Sequence, residues 1–293
     1  MSTLRIEHHT TYRYARPIEF GRHRLVLRPR EGHDVHVSRM TLDIHPQHRV
    51  TWSRDVFGNS VALVDFTEAA DHLEFRSEVF VQRSLPFAAE EPHALPRLPF
   101  PVAYDPLEKT VTEAYRKASY PTDATPLKKW LDKNLPTRDQ ADAESVAAAL
   151  NKAVHEWIKY QRRPERGVQS PAETLALRSG SCRDLSVLMM DAARILGFAT
   201  RFSSGYLDCA ASLAGRAATH AWVEIYLPLV GWLGFDPTLG EPTSLKHVTA
   251  GVSNHPRGVM PISGVFHGSA ADYLGMNVAV RTELMTVETL EAK

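Results

Sequence analysis

The run Ser179-Gly180-Ser181-Cys182-Arg183-Asp184-Leu185-Ser186-Val187-Leu188 decides how this chain is read. Leu185, Leu188, Met189, Ala192 and Leu196 recur at helical spacing, so a helix is expected over 182–196. Gly197 stops it. Gly180 lets the chain bend tightly into the first turn. At a helix start, unpaired N–H groups and the helix dipole favour an anion, and a cysteine there is favoured as thiolate. A lone cysteine also has an ordinary reading as a small buried hydrophobe, inert once packed.

Downstream, Thr219-His220-Ala221-Trp222-Val223-Glu224-Ile225-Tyr226 alternates as a strand does, with His220 at its entrance. Gly231-Trp232-Leu233-Gly234-Phe235-Asp236 follows after a connection of hairpin length. Antiparallel pairing would set His220 and Asp236 at one end of a sheet, where the carboxylate could accept the imidazole N–H. If the helix start carrying Cys182 packs against that end, the three residues make a nucleophile, a base and an orienter. A strand is also expected over Ala199–Tyr206. Upstream, Ala143, Val146, Leu150, Val154, Trp157 and Ile158 predict an amphipathic helix over 140–161.

The first 83 residues change period. Short alternating runs at Leu4–Ile6, Arg22–Arg28, Val35–Ile44, Val50–Val56, Val61–Phe66 and Leu73–Val81 read as antiparallel strands of a small sandwich. Phe57-Gly58-Asn59-Ser60 reads as a hairpin turn. Pro86, Pro92, Pro96, Pro99, Pro101 and Pro106 then break both periods. The expected division is an N-terminal antiparallel β domain over 1–85, a proline-rich linker over 86–106 and an α+β domain over 107–293. A last strand is expected over Leu274–Met285.

Composition excludes several classes. Lys plus Arg and Asp plus Glu each number 34 in 293 residues, so net charge is zero, which argues against a nucleic-acid binder. No apolar run approaches the ~18 residues of a membrane span, and Met1–Thr11 has no apolar stretch typical of a secretory leader. Two cysteines, Cys182 and Cys209, are too few for a disulfide framework or a four-cysteine zinc site. A reducing cytoplasm is the expected location. Cys209 reads as an incidental thiol. His33-x-x-His36 and His45-x-x-His48 lack the context of a metal helix and read as surface histidines. Oligomeric state is not legible.

Taken together, Gly180-Ser181-Cys182-Arg183-Asp184, Thr219-His220-Ala221-Trp222 and Gly234-Phe235-Asp236-Pro237-Thr238 resemble the three blocks of the transglutaminase-like superfamily core, in order and approximate spacing. Tyr12-Arg13-Tyr14 and Leu25-Val26-Leu27-Arg28-Pro29-Arg30 resemble the small β domain that precedes this core in many bacterial members. The resemblance implies an α+β, papain-like core behind a separate β-sandwich. It implies Cys182 as nucleophile, His220 as base and Asp236 as orienter, with the Cys182 N–H in the oxyanion hole. Gln169 is a candidate second donor, although a surface glutamine is the plainer reading. Trp222 is expected to pack beside the site. Tyr206 either donates into the cleft or packs in the sheet. Asp184 is expected to cap the helix or pair with an arginine.

The activity implied is cysteine-dependent hydrolysis of peptide, isopeptide or amide bonds through a thioester. The alternatives are acyl transfer from glutamine to an amine, or a binding scaffold on the same fold. The expected partner is a peptide or protein amide, with no nucleic acid and no membrane. The chemistry requires no metal or organic cofactor. The loop Gly205–Arg216 is expected to gate the cleft, and Val252–Gly268 to bring His255 or His267 near substrate.

Overall fold

The computed structural model describes residues 2–83, 97–135, 141–163, 165, 167–208 and 219–285. The N-terminal strands are β1 (Ser2–Phe20), β2 (His23–Leu25), β3 (Val35–His45), β4 (His48–Arg54), β5 (Ser60–Phe66) and β6 (Ala70–Arg83). Then come α1 (Pro106–Arg116), α2 (Ala124–Asn134), α3 (Ala143–Trp157), β7 (Lys159–Tyr160), α4 (Pro171–Leu177), β8 (Ser179–Gly180) and α5 (Cys182–Ile195). The chain closes with β9 (Ala199–Leu207), β10 (Thr219–Leu227), β11 (Gly231–Asp236), β12 (Glu241–Pro242), β13 (His247–Ser253), β14 (Ile262–Ser263), β15 (Phe266–His267) and β16 (Tyr273–Met285).

Two antiparallel sheets form the N-terminal sandwich. One holds β3, β6 and β1, with β15 and β16 also on β1. The other runs β14-β2-β5-β4. Alternation gives β1 and β6 one buried face each: Leu4, Ile6, Tyr14, Ile18 and Phe20 on β1, and Leu73, Phe75, Val79 and Val81 on β6. That single face serves two cores. Tyr14, Phe20, Leu73 and Phe75 fill the sandwich with Leu25, Leu27 and Val64. Leu4, Ile6, Val79 and Val81 instead pack on Tyr206, Val248 and Ala250 of the second layer.

The second layer is a five-stranded sheet in the order β12-β11-β10-β9-β13. Its other face carries the helices. Leu185, Leu188, Met189 and Ala192 of α5, with Leu150 and Val154 of α3, pack on Phe202, Val223, Ile225 and Phe235. α5 is buried nearly all round, and its buried Asp191 and Arg194 are paired at 3.1 Å. The sheet is therefore sandwiched between helices and the long face of β1 and β6. The α+β core behind an antiparallel β domain is the architecture expected.

The division at 107–293 needs correction. β14 pairs with β2, β15 with β1, and β16 runs along β1 from Thr3↔Met285 to Tyr14↔Tyr273. The last part of the chain thus returns to complete the N-terminal sheets. Such pairing spans some 270 residues of sequence and leaves no local signal. β1 is also far longer than the Leu4–Ile6 run, and α1, α2 and α4 were not foreseen. Residues 84–96 of the proline-rich stretch, Cys209 and the loop 209–216 lie outside the described residues.

Candidate active site

α5 begins where its sequence says it should. Asp184, three residues into the capping position, reaches back and accepts from the Ser181 N–H and the Ser181 hydroxyl, both at 2.8 Å. Its carboxylate also accepts from Arg163 Nη1 at 2.9 Å and from the Gln169 N–H at 2.7 Å. Asp184 is wholly buried. This cluster clamps the segment at Arg163, the segment at Gln169 and the helix start together, as the cap-or-arginine reading expected. Gly180 is required here: a Cβ on it would meet the Asp184 Cβ at 2.8 Å. Cys182 is the first residue of α5 and half-buried. Its N–H belongs to the first turn, where no intrahelical acceptor exists.

The β10–β11 hairpin supplies the other two residues. Val223 pairs with Phe235, so Asp236 lies just past the last pair and a diagonal step from His220. His220 Nε2 donates to Asp236 Oδ2 at 2.7 Å. Nε2 is thereby taken by Asp236, and Cys182 lies close enough to the ring for its charge to act on His220. Asp236 Oδ1 accepts the Thr238 N–H at 2.8 Å. Cys182 and the His220–Asp236 pair therefore come together at one end of the sheet.

The electrostatics favour a charged pair. Burial pushes the His220 imidazole down, but hydrogen bonds to Asp236 and Cys182 and the charges of both outweigh it and raise it to about 10. Burial likewise opposes the Asp236 carboxylate, yet hydrogen bonds from His220 and His247 hold it far below the usual carboxylate range.

His247 was not singled out in the sequence. It opens β13, and its Nε2 lies 3.2 Å from the same Asp236 Oδ2. No motif surrounds it, and no local pattern in the sequence marks it. Tyr160 was missed too. It pairs with Gly180 two residues before Cys182; burial raises its phenol, and the nearby charge of Cys182 adds to that.

The other expected residues divide. Trp222 is buried and stacks edge-on against His247 with ring centres 5.1 Å apart, beside the site as expected. Gly205 makes room for this, since a Cβ there would meet the Trp222 ring at 2.9 Å and the Val248 carbonyl at 2.1 Å. Gln169 is half-buried against Gly180, with its side-chain oxygen accepting from Thr174 Oγ1 at 3.3 Å. It lines a polar recess of about 230 Å³ with Gln161, Arg162, Arg163 and Ser179. Tyr206 is not a cleft residue. It is wholly buried between the layers, and its hydroxyl donates to the Leu27 carbonyl at 3.1 Å. Its side chain points to the sheet face opposite the helices, which is why it meets the N-terminal strands. His255 stacks on Tyr120 and His267 pairs with Glu19 of β1, so neither belongs to this cluster.

His220, Asp236 and His247 offer three donor atoms within 4.8 Å of one another, a spacing a cation could use. The tautomers argue otherwise. His247 Nδ1 accepts the Ser244 N–H at 3.1 Å, so the ring proton sits on Nε2, which then has no lone pair for a metal. The set fits hydrogen bonding rather than ligation.

Comparison with known proteins bears on family and fold. Residues 131–237 match the transglutaminase-like superfamily, and residues 4–82 match the bacterial transglutaminase-like N-terminal region. An uncharacterised protein of Mycobacterium leprae is 28% identical over 105 residues, 34% of this chain and 37% of that one. This chain therefore matches little more than a third of that relative's length. A crystal structure from Cytophaga hutchinsonii, described as a candidate cysteine protease, superposes with a TM-score of 0.72. It covers 98% of this chain and 91% of its own at 16% identity, which shows a shared fold. The two matched regions, in this order around the Cys182 helix and the His220–Asp236 hairpin, make this chain a member of the transglutaminase-like superfamily with the bacterial N-terminal region.

Proposed function

We propose that this chain is a cysteine-dependent hydrolase of peptide, isopeptide or amide bonds. The observation that carries the reading is the buried His220–Asp236 hydrogen bond at 2.7 Å, with Cys182 at the helix start close enough for its charge to act on the His220 ring. Cys182 sulfur attacks the carbonyl carbon, and negative charge develops on the carbonyl oxygen. The Cys182 N–H, at the start of α5, is placed to receive that oxygen. The C–N bond then breaks as His220 gives its proton to the leaving amine, and a thioester remains. Water attacks the thioester, His220 takes a proton from it, and the carboxylic acid leaves as the thiol is restored. Asp236 stays ionised throughout and holds the ring in line.

An amine in place of water at the second step gives acyl transfer with the same residues. The test is a panel of amide and isopeptide peptides assayed for ammonia and new amines, with and without added primary amine. Turnover in the intact chain and none in Cys182→Ala supports the reading. Equal turnover in both sinks it. A large gain in conjugate over free acid would move the assignment to transfer.

A further inference from the structure

We propose that His247 is a positioning residue of this site. By donating to the same Oδ2 that accepts from His220, it fixes the Asp236 carboxylate and draws charge from it, so that His220 stays in line yet still releases its proton. This rests on the acid–base role given to His220 above.

The geometry fixes what His247 can do. Its backbone N–H donates to the Ser244 carbonyl at 2.9 Å, and its Nδ1 accepts the Ser244 N–H. That tight turn sets the tautomer, so Nε2–H is the donor. Trp222 closes one side of the ring, and the side chain is only 4% exposed. Every polar atom of a buried histidine is thus used, and the outward one is spent on Asp236. The two donors share the oxygen unequally, at 2.7 Å for His220 and 3.2 Å for His247. A carboxylate oxygen serving two donors holds each less tightly than it would hold one.

The consequence matters for the acid step. A histidine whose proton is held too strongly is a poor acid at neutral pH. His247 weakens the hold that Asp236 has on His220 without loosening the alignment. The titratable and charged groups facing the pair are Cys182 from α5, Asp236 from β11 and His247 from β13. Tyr160 feels the charges of Cys182 and Asp236, and Arg162 and Arg183 lie near Tyr160.

The test titrates the His220 ring by two-dimensional NMR in the full chain carrying Cys182→Ala. That background removes the contribution of Cys182, one of the groups that raise the His220 imidazole. Adding His247→Phe, which removes the donor, should raise the His220 midpoint by about one pH unit. Adding His247→Gln, whose amide N–H can occupy the place of Nε2–H, should leave it within about 0.3 unit of the parent. An unchanged or lowered midpoint in folded His247→Phe overturns the proposal. If His247→Phe does not fold, His247→Met carries the same test with the same two outcomes. No substrate is involved, so the titration still speaks if Cys182 proves unnecessary for turnover and the functional reading falls.

Discussion

Two buried carboxylates stand on either side of this site and are held in opposite ways. Asp184, at the helix start, is gripped by Arg163 and by two backbone N–H groups. Asp236, at the sheet end, is gripped by two histidines and one backbone N–H. Arginine never gives up its proton, so the Asp184 cluster can only hold shape. Histidine can, so the Asp236 cluster can pass a proton and recover. The same acidic residue type becomes a fastener in one region and part of a relay in the other, and the partner decides which.

That contrast can be broken by substitution. Cys182→Ser should lower turnover by about a thousandfold or more, measured on whichever amide substrate the panel identifies. Asp236→Asn should cost about 10²–10⁴ in turnover while the folded chain survives, because an amide can still face the histidines. Asp184→Ala should do the reverse to stability. It leaves Arg163 unpaired and frees the helix start, for a loss of about 3–5 kcal/mol in denaturant unfolding. Equal stability losses for the two sites would erase the distinction between fastener and relay.

The pH dependence sharpens it. His220 titrates higher in the folded chain than the ~6.5 of an unfolded histidine. The stability it contributes is full below that value and fades as pH rises toward about 10. Asp236 works in the other direction: held low, it contributes above ~3.9 and loses that only in strong acid. Melting temperature against pH should therefore decline on the alkaline side in the native chain, and that decline should be missing in His220→Gln. The smallest expected effect is at Gln169. If its amide merely lines the recess, Gln169→Ala should cost less than about tenfold in turnover, whereas an oxyanion donor would cost about 10²–10³.

The legible parts of this chain were those fixed by local pattern. The α5 periodicity, the Asp184 cap and the hairpin that brings Asp236 near His220 are all determined within a few tens of residues. Period-two alternation likewise revealed most N-terminal strands. What escaped depended on distant pairing. β16 finds β1 across nearly the whole chain, so nothing near residue 273 announces a return to the first domain. His247 opens β13, three strands from the β11 of Asp236 in the sheet order, so no local pattern joins the two. Tyr206 was ambiguous because alternation says which residues share a face but not which layer that face meets. Here it meets Leu27 and His8 of the N-terminal domain.

The central claim is that Cys182 and His220 form an activated pair. The direct measurement is the rate of Cys182 alkylation against pH, resolved from Cys209 by mass spectrometry, in the native chain and in His220→Ala. The account predicts rapid reaction of Cys182 well below the pH at which a free thiol of pKa ~8.5 reacts, and loss of that advantage without His220. A Cys182 that is inert, or that follows the ordinary thiol profile in both chains, would contradict it.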